Sequence, residues 1–199
     1  MSNAFLDAMM ARRSIYAIGK NLSLSEDHIA ALVKQAVKQS PSSFNSQSSR
    51  VVVLFGKQHE KLWDIVKETL RKIVPAESFA ATESKLASFA AGVGTVLFYE
   101  DTKVIDVLQK QFVAYADNFP VWSEHSTGIA QFAVWSTFAQ EHIGATLQHY
   151  NPLIDDQVRA QWQLPASWKL RAQMPFGSIE QSAAEKTFIS DEERFRIFR

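Results

Sequence analysis

The sequence predicts an α+β fold with a small central sheet covered by helices. Three observations lead there. Solid apolar runs at residues 51–55 and 93–99, with an alternating run at 168–176, read as strands. Segments with helical spacing outnumber them. The two types do not alternate one for one, as a regular doubly wound sheet would require. The 199 residues are 46% hydrophobic and 21% charged, an ordinary globular composition. A chain of this length buries enough surface for a real core, so one domain over 1–199 is expected.

The elements follow in order. Residues 5–13 read as a helix with Phe5, Ala8 and Met9 on one side. A connector with Gly19 and Asn21 leads to a capped helix. Ser25 is a good N-cap, Glu26 and Asp27 suit the positive end of the dipole, and Leu24 can staple onto Ile29. Ile29, Leu32, Val33, Ala36 and Val37 keep helical spacing. After a Ser-rich loop comes the strand 51–55. Leu62, Ile65, Val66, Thr69, Leu70 and Ile73 restore the helical period until Pro75 stops it. Residues 76–91, rich in Ala and Ser, read as helix, and 93–99 as a buried strand. Residues 104–112 read as helix and 117–126 as irregular. Residues 128–143 are apolar on nearly every face. Such a helix is buried all round, and in a short chain a second copy can bury it. Gly144 is its expected end. A short extended piece at 145–150, a helix at 153–162 and a stop at Leu164-Pro165 follow. In the last strand Leu170, Ala172 and Met174 are expected on one face. The charged final twenty residues have no core of their own and are expected to lie along another surface or chain.

Charge and composition exclude several function classes. Lys plus Arg equals Asp plus Glu at 21 each, so no nucleic-acid or membrane surface is indicated. There is no cysteine, hence no disulfide framework, thiolate site or thiol catalysis. That is compatible with a cytoplasmic protein, the expected location. The N-terminus lacks the basic start and apolar run of a signal peptide. No stretch is long enough to span a membrane.

The common catalytic signatures are missing: no G-x-S-x-G elbow, no P-loop, no H-E-x-x-H. Gly92 and Gly94 precede a strand rather than a helix and lack the third glycine of a dinucleotide fingerprint. His142 and His149 have no carboxylate cluster, so no metal site is expected. His28 and His59 read as surface or core residues. Asp155-Asp156 and Glu192-Glu193 read as helix-dipole partners or solvated charge. The chemistry is then expected from a cofactor that the protein binds and orients. Arg12-Arg13-Ser14 offers two guanidiniums and a hydroxyl suited to a phosphate, or else a basic helix end balancing its dipole. Residues 40–49 carry six hydroxyls, an Asn and a Gln. They suit a polar ligand held by neutral hydrogen bonds, or form an ordinary Ser-rich turn.

The ordered set is more specific than its parts. Arg12-Arg13-Ser14, the capped helix, then Pro41-Ser42-Ser43-Phe44-Asn45-Ser46-Gln47 and a strand resemble the flavin-dependent nitroreductase family. Downstream, the apolar helix, His142-Ile143-Gly144-Ala145-Thr146, Leu164-Pro165, Phe176-Gly177 and Lys186 agree. Residues 147–152, Leu-Gln-His-Tyr-Asn-Pro, are similar to the short members typified by the yeast fatty-acid-repression-mutant protein and bacterial copper-induced nitroreductases.

The resemblance implies a nitroreductase-like homodimer with the long helix at its centre and FMN at the interface. It implies that Arg12, Arg13, Ser14 and Lys186 hold the FMN phosphate and ribityl chain. It implies that Ser42, Ser43 and Asn45 face the ring system from the second subunit, with Gln47, Leu147, Gln148 and His149 nearby. The implied reaction is ping-pong. NADH or NADPH reduces the flavin, and a nitroaromatic, quinone or related small-molecule acceptor takes the electrons. Three departures stand out. Tyr16 replaces the basic residue of R-R-S-x-R/K, Ser48-Ser49 replaces Pro-Trp, and Gln148-His149 replaces an acidic-Gly pair. Tyr16, with Phe44, Phe79, Phe89 and Trp122 as pocket-capping aromatics, leaves the alternative of a flavin-binding stress-response or regulatory protein with incidental turnover; a helical interaction protein without cofactor is a third reading.

Overall fold

Short polar side chains start the first helices. In the computed structural model, which describes residues 3–199, Asn3 accepts the Phe5 and Leu6 amides and opens α1 (Ala4–Ala11). The first strand, β1 (Ile18–Gly19), is two residues of the expected connector. Ser25 accepts the His28 amide at 3.2 Å and opens α2 (Glu26–Gln39). Leu24 packs on the cluster that contains Ile29, as a staple should. The apolar run forms β2 (Ser49–Phe55), followed by α3 (Gly56–Arg71) and α4 (Phe79–Ala90). Next come β3 (Gly94–Asp101), α5 (Thr102–Gln111) and α6 (Phe119–Gln140). The chain closes with β4 (Gly144–Ala145), α7 (Asp155–Gln161), β5 (Trp168–Ile179) and the single turn α8 (Asp191–Arg194).

The sheet is antiparallel in the order β1-β5-β3-β2, with β4 also paired to β5. Its two faces carry two cores. On one, Leu62, Trp63 and Val66 of α3, Phe89 of α4 and Val158 of α7 pack on Leu97 and Tyr99. On the other, Ile29 and Val33 of α2 and Val134 and Phe138 of α6 pack on Val96, Phe98 and Met174. This is the α+β arrangement expected.

Three local expectations are corrected. Residues 117–126 are not irregular: a 3-10 stretch ends at Asn118 and α6 begins at Phe119. Pro120 sits in its first turn, where a missing N–H costs no helical bond. Gly144 does not end that helix. The chain leaves it at Glu141, His142 takes a left-handed φ of 56°, and Gly144 pairs with Gly177 in β4. A Cβ on Gly144 would meet Ile15 and Ile179 at 3.0 and 2.9 Å. Leu170 does not share a face with Ala172 and Met174. The β3–β5 register slips between Phe98 and Tyr99, leaving Arg171 as the extra residue, so Leu170 turns to the opposite core.

Within one chain α6 is not covered all round. Val134 and Phe138 are fully buried, while Ile129 is 43% exposed and Phe132 and Ala133 are half-buried. Among the described residues, no helix is long and apolar enough to cross a membrane.

Candidate functional site

The helix α1 ends at Arg12, and the chain that follows is caught by the sheet. Ser14 forms a parallel bridge with Ala145, and the Ile15 amide donates to the Ala145 carbonyl at 2.9 Å. The Trp135 indole donates to the same carbonyl at 3.1 Å. Arg12 lies over the Trp135 ring, 4.3 Å from its centre. Burial, and then the neighbouring Arg13 charge, holds the Arg12 guanidinium below its ordinary pKa. A partly desolvated guanidinium beside a second cation is favoured by a bound anion.

The chain after β5 closes the other side. The Glu180 amide donates to the Ala17 carbonyl at 3.0 Å, and Arg13 donates to the Ala184 carbonyl. Between these segments lies an open cleft of about 470 Å³. Arg12, Arg13, Ser14 and Lys186 all line it, with Tyr16 and one acid, Glu185. Residues more than 170 positions apart are thus brought to one place. A second hollow of about 360 Å³ joins Arg12 and Ser14 to Leu147, Gln131, Phe132 and Trp135 of the same chain.

The Ser-rich loop is a separate feature of the chain. Ser42, Asn45 and Gln47 line a pocket of about 230 Å³ with Lys38, Arg50 and Ser126. Ser43 belongs to the 3-10 turn Ser43–Asn45 beside it. Phe44, Asn45 and Gln47 hold φ angles of 57°, 49° and 48°, a left-handed region unusual for residues with side chains. The Ser42 hydroxyl accepts the Gln47 amide at 2.9 Å. The Phe44 ring lies 4.8 Å from Phe112, 5.3 Å from Phe119 and 6.0 Å from Trp122, stacked on the last.

The 147–149 segment is only partly with the site. Gln148 is buried, and its amide donates to Thr146 at 3.1 Å. His149 is exposed, and lines neither the cleft nor the two hollows. What fixes the segment is Gln173, a fully buried residue that sequence reasoning did not single out. Its backbone pairs with Gln148, and its side chain accepts the Tyr150 amide at 2.7 Å. The next residue side chain in this region, Tyr150, has its phenol pushed up to about 12, by burial and then by Tyr16.

The pocket-capping group is corrected. Phe79 and Phe89 are core residues of α4, 6% and 0% exposed, in one cluster with Trp63 and Val66 of α3. Only Phe44 and Trp122 belong to the surface aromatic cluster. Among the described residues no group of three His, Asp or Glu could hold a metal ion.

The Nitroreductase family profile matches residues 9–178. The chain is 34% identical over 190 residues to the putative nitroreductase HBN1 of Saccharomyces cerevisiae, covering 94% of each chain. It is 31% identical to the nitroreductase FRM2 of the same yeast, again over 94% of each. The nitroreductase CinD from Lactococcus lactis, solved with chloramphenicol, superposes with a TM-score of 0.91 at 47% identity. That alignment covers 98% of this chain and 100% of the other. A putative nitroreductase from Desulfovibrio desulfuricans, solved with FMN, shares the fold at 17% identity, with a TM-score of 0.72. Profile, relatives and fold agree over nearly the whole length, and the chain belongs to the nitroreductase family.

Proposed function

We propose that this chain, as one domain over 1–199, is an FMN-dependent NAD(P)H oxidoreductase that works as a homodimer. The observation that carries it is the convergence of Arg12, Arg13, Ser14 and Lys186 on one cleft of a nitroreductase-family chain. Three cations and a hydroxyl, opposed by one carboxylate, fit the dianionic phosphate of FMN. Arg12 and Arg13 bind it as planar forks, Lys186 as a point charge delivered by the tail, and Ser14 as a neutral donor. Leu147, on the hollow shared with Arg12 and Ser14, gives apolar contact to the group held there. Ser42, Ser43, Asn45 and Gln47 supply neutral hydrogen bonds to the ring of the cofactor shared with the other subunit. The buried Gln148, fixed by Thr146, backs Leu147, while His149 stays outside the cleft and both hollows of its own chain.

When bound, flavin would supply the hydride chemistry that links NADH or NADPH, in two half-reactions, to a nitroaromatic, quinone or similar acceptor. The protein's part is to bind, orient and shield. The solved complexes of the Lactococcus lactis relative with chloramphenicol and with 4-nitrophenol support nitroaromatic acceptors. A homodimer is supported by the uncovered stripe of α6 and by the tail, where Phe195, Ile197 and Phe198 are 56%, 78% and 92% exposed. A cytoplasmic setting, without membrane or nucleic-acid partner, completes the reading.

The absorbance spectrum of purified protein tests it, followed by anaerobic addition of NADH and NADPH. A yellow protein whose flavin bleaches within seconds is expected. A colourless protein that takes up no added FMN rejects the reading. Flavin that stays oxidised for minutes rejects the reductase and leaves a flavin-binding protein.

A further inference from the structure

Glu100, next to last in β3, is 2% exposed and belongs to neither end of the proposed cofactor clamp. Its register partner across the ladder is Ser49, the first residue of β2. The Ser49 hydroxyl donates to one carboxyl oxygen and the Ser48 hydroxyl to the other, each at 2.5 Å. The Ser48 carbonyl accepts the Asp101 amide at 3.0 Å. Arg50 donates to the Gln47 carbonyl at 2.5 Å and reaches Asp101 at 3.2 Å. Ser48, the last loop residue, and the first two residues of β2 are therefore tied to two successive residues of β3.

Just upstream of this tie stand the left-handed Phe44, Asn45 and Gln47. None is a glycine; Asn45 tolerates this region, whereas Phe44 and Gln47 would relax if their surroundings allowed. Such a conformation persists only where the structure over-determines it. The Phe44 aromatic cluster holds one end of the segment, and the Ser48–Glu100–Ser49 bridge holds the other. A buried carboxyl is also a costly way to join two strands, since apolar side chains of similar volume would pack there at less cost. The charged groups around it are Arg50 of β2, Asp101 of β3, Arg171 of β5 and, through Arg171, Glu124 of α6. Arg50 is paired with Asp101 and Arg171 with Glu124, so the hydrogen bonds to Glu100 come from the two serines.

We infer that Glu100 is a positioning residue: by bridging Ser48 and Ser49 it fixes residues 42–47 in the shape they offer to a ligand. That the ligand is flavin rests on the function proposed above. Serine hydroxyls can turn to donate or accept, so an amide of the same shape can keep the bridge, whereas a methyl cannot.

The test uses wild type, Glu100→Gln, Glu100→Ala and the double variant Ser48→Ala/Ser49→Ala. Amide hydrogen exchange is measured on each protein stripped of flavin, and FMN affinity is then titrated. Glu100→Ala and the serine double variant are expected to exchange residues 42–49 tenfold or more faster, with the rest of the chain unchanged. Glu100→Gln is expected to stay near wild type. FMN affinity is expected to fall about tenfold in the first two and recover in Glu100→Gln. Wild-type exchange of 42–49 in the serine double variant overturns the inference. So does a rise spread evenly along the chain, or a Glu100→Gln that matches Glu100→Ala. If Glu100→Ala fails to fold, the serine double variant decides alone. A wild type that binds no FMN rejects the cofactor reading, while exchange in 42–49 still decides the anchoring.

Discussion

The cationic cleft and the Ser-rich loop solve opposite problems. The cleft holds Arg12, Arg13 and Lys186 on an ordinary chain path, and its side chains are long and partly solvated. The loop has no charge from residue 40 to residue 49, and it spends its order on backbone shape, with three left-handed residues in four. Charge acts at a distance and tolerates imprecise placement. Neutral donors act only at hydrogen-bond length and angle, so the backbone that carries them must be fixed. The cleft should therefore set how tightly the cofactor is held, and the loop how it is oriented.

The largest expected effect tests whether the two halves meet across subunits at all. Ile129→Glu puts a charge on the uncovered stripe of α6, on a side chain 43% exposed in the single chain. It is expected to give monomers by light scattering and to lose FMN on a desalting column. Ala133 lies on the same stripe. Trp135 is a poor alternative, because it bonds Ala145 and supports Arg12 within its own chain. A monomer that retains FMN removes the shared site and with it the division of labour.

Next in size is Arg12→Ala. Losing charge-assisted bonds to the phosphate is expected to weaken FMN binding by about 1.5–3 kcal/mol. The loss should shrink in high salt, where wild-type binding is itself screened. Fluorescence titration at two ionic strengths reads both. An affinity unchanged by the substitution removes Arg12 from the clamp.

Ser42→Ala probes the other half. It removes the acceptor of the Gln47 amide, an exposed bond worth about 0.5–1.5 kcal/mol. Its effect should appear in the acceptor KM and in the visible flavin spectrum, and should not depend on salt. A salt-dependent loss equal to that of Arg12→Ala would erase the contrast between the halves.

The sequence showed the charged half better than the neutral one, for physical reasons. Arg12-Arg13-Ser14 and the loop are contiguous, and contiguous motifs survive without a fold. The N-caps and the apolar strands are equally local. What tightens the loop is not local: Glu100 lies about fifty residues away and meets Ser48 and Ser49 only through β2–β3 pairing. Arg171 looked like one strand position among many, and only the β3–β5 slip shows that it reverses the facing of Leu170. Pro120 in the stretch 117–126 reads as a loop signal, although a proline in the first turn is where helix α6 accepts one. By residue type alone, Phe79 and Phe89 are indistinguishable from site aromatics. Their core role depends on α3 and α4 packing on one face of the sheet.

The smallest effect near neutral pH comes from the core, and it separates fold loss from site loss. His59 is fully buried, its ring nitrogens on the Thr95 hydroxyl at 2.8 Å and the Ala90 carbonyl at 3.2 Å. Burial lowers its pKa to about 4, outweighing the Ala90 carbonyl, which acts the other way. The folded state therefore prefers neutral imidazole. Its contribution is complete above the unfolded pKa of about 6.5 and is lost as pH falls toward 4. The loss should be on the order of 1 kcal/mol at pH 6 and roughly double that at pH 5. Urea unfolding of wild type and His59→Gln across this range is the measurement. The variant, less stable at pH 7, should lose the slope between pH 6.5 and pH 5. Flavin released at pH 5 by wild type but not by His59→Gln would then report core protonation. Flavin released equally by both would report titration within the cleft or the loop. An identical slope in both proteins would mean that His59 does not carry the acid sensitivity of the fold.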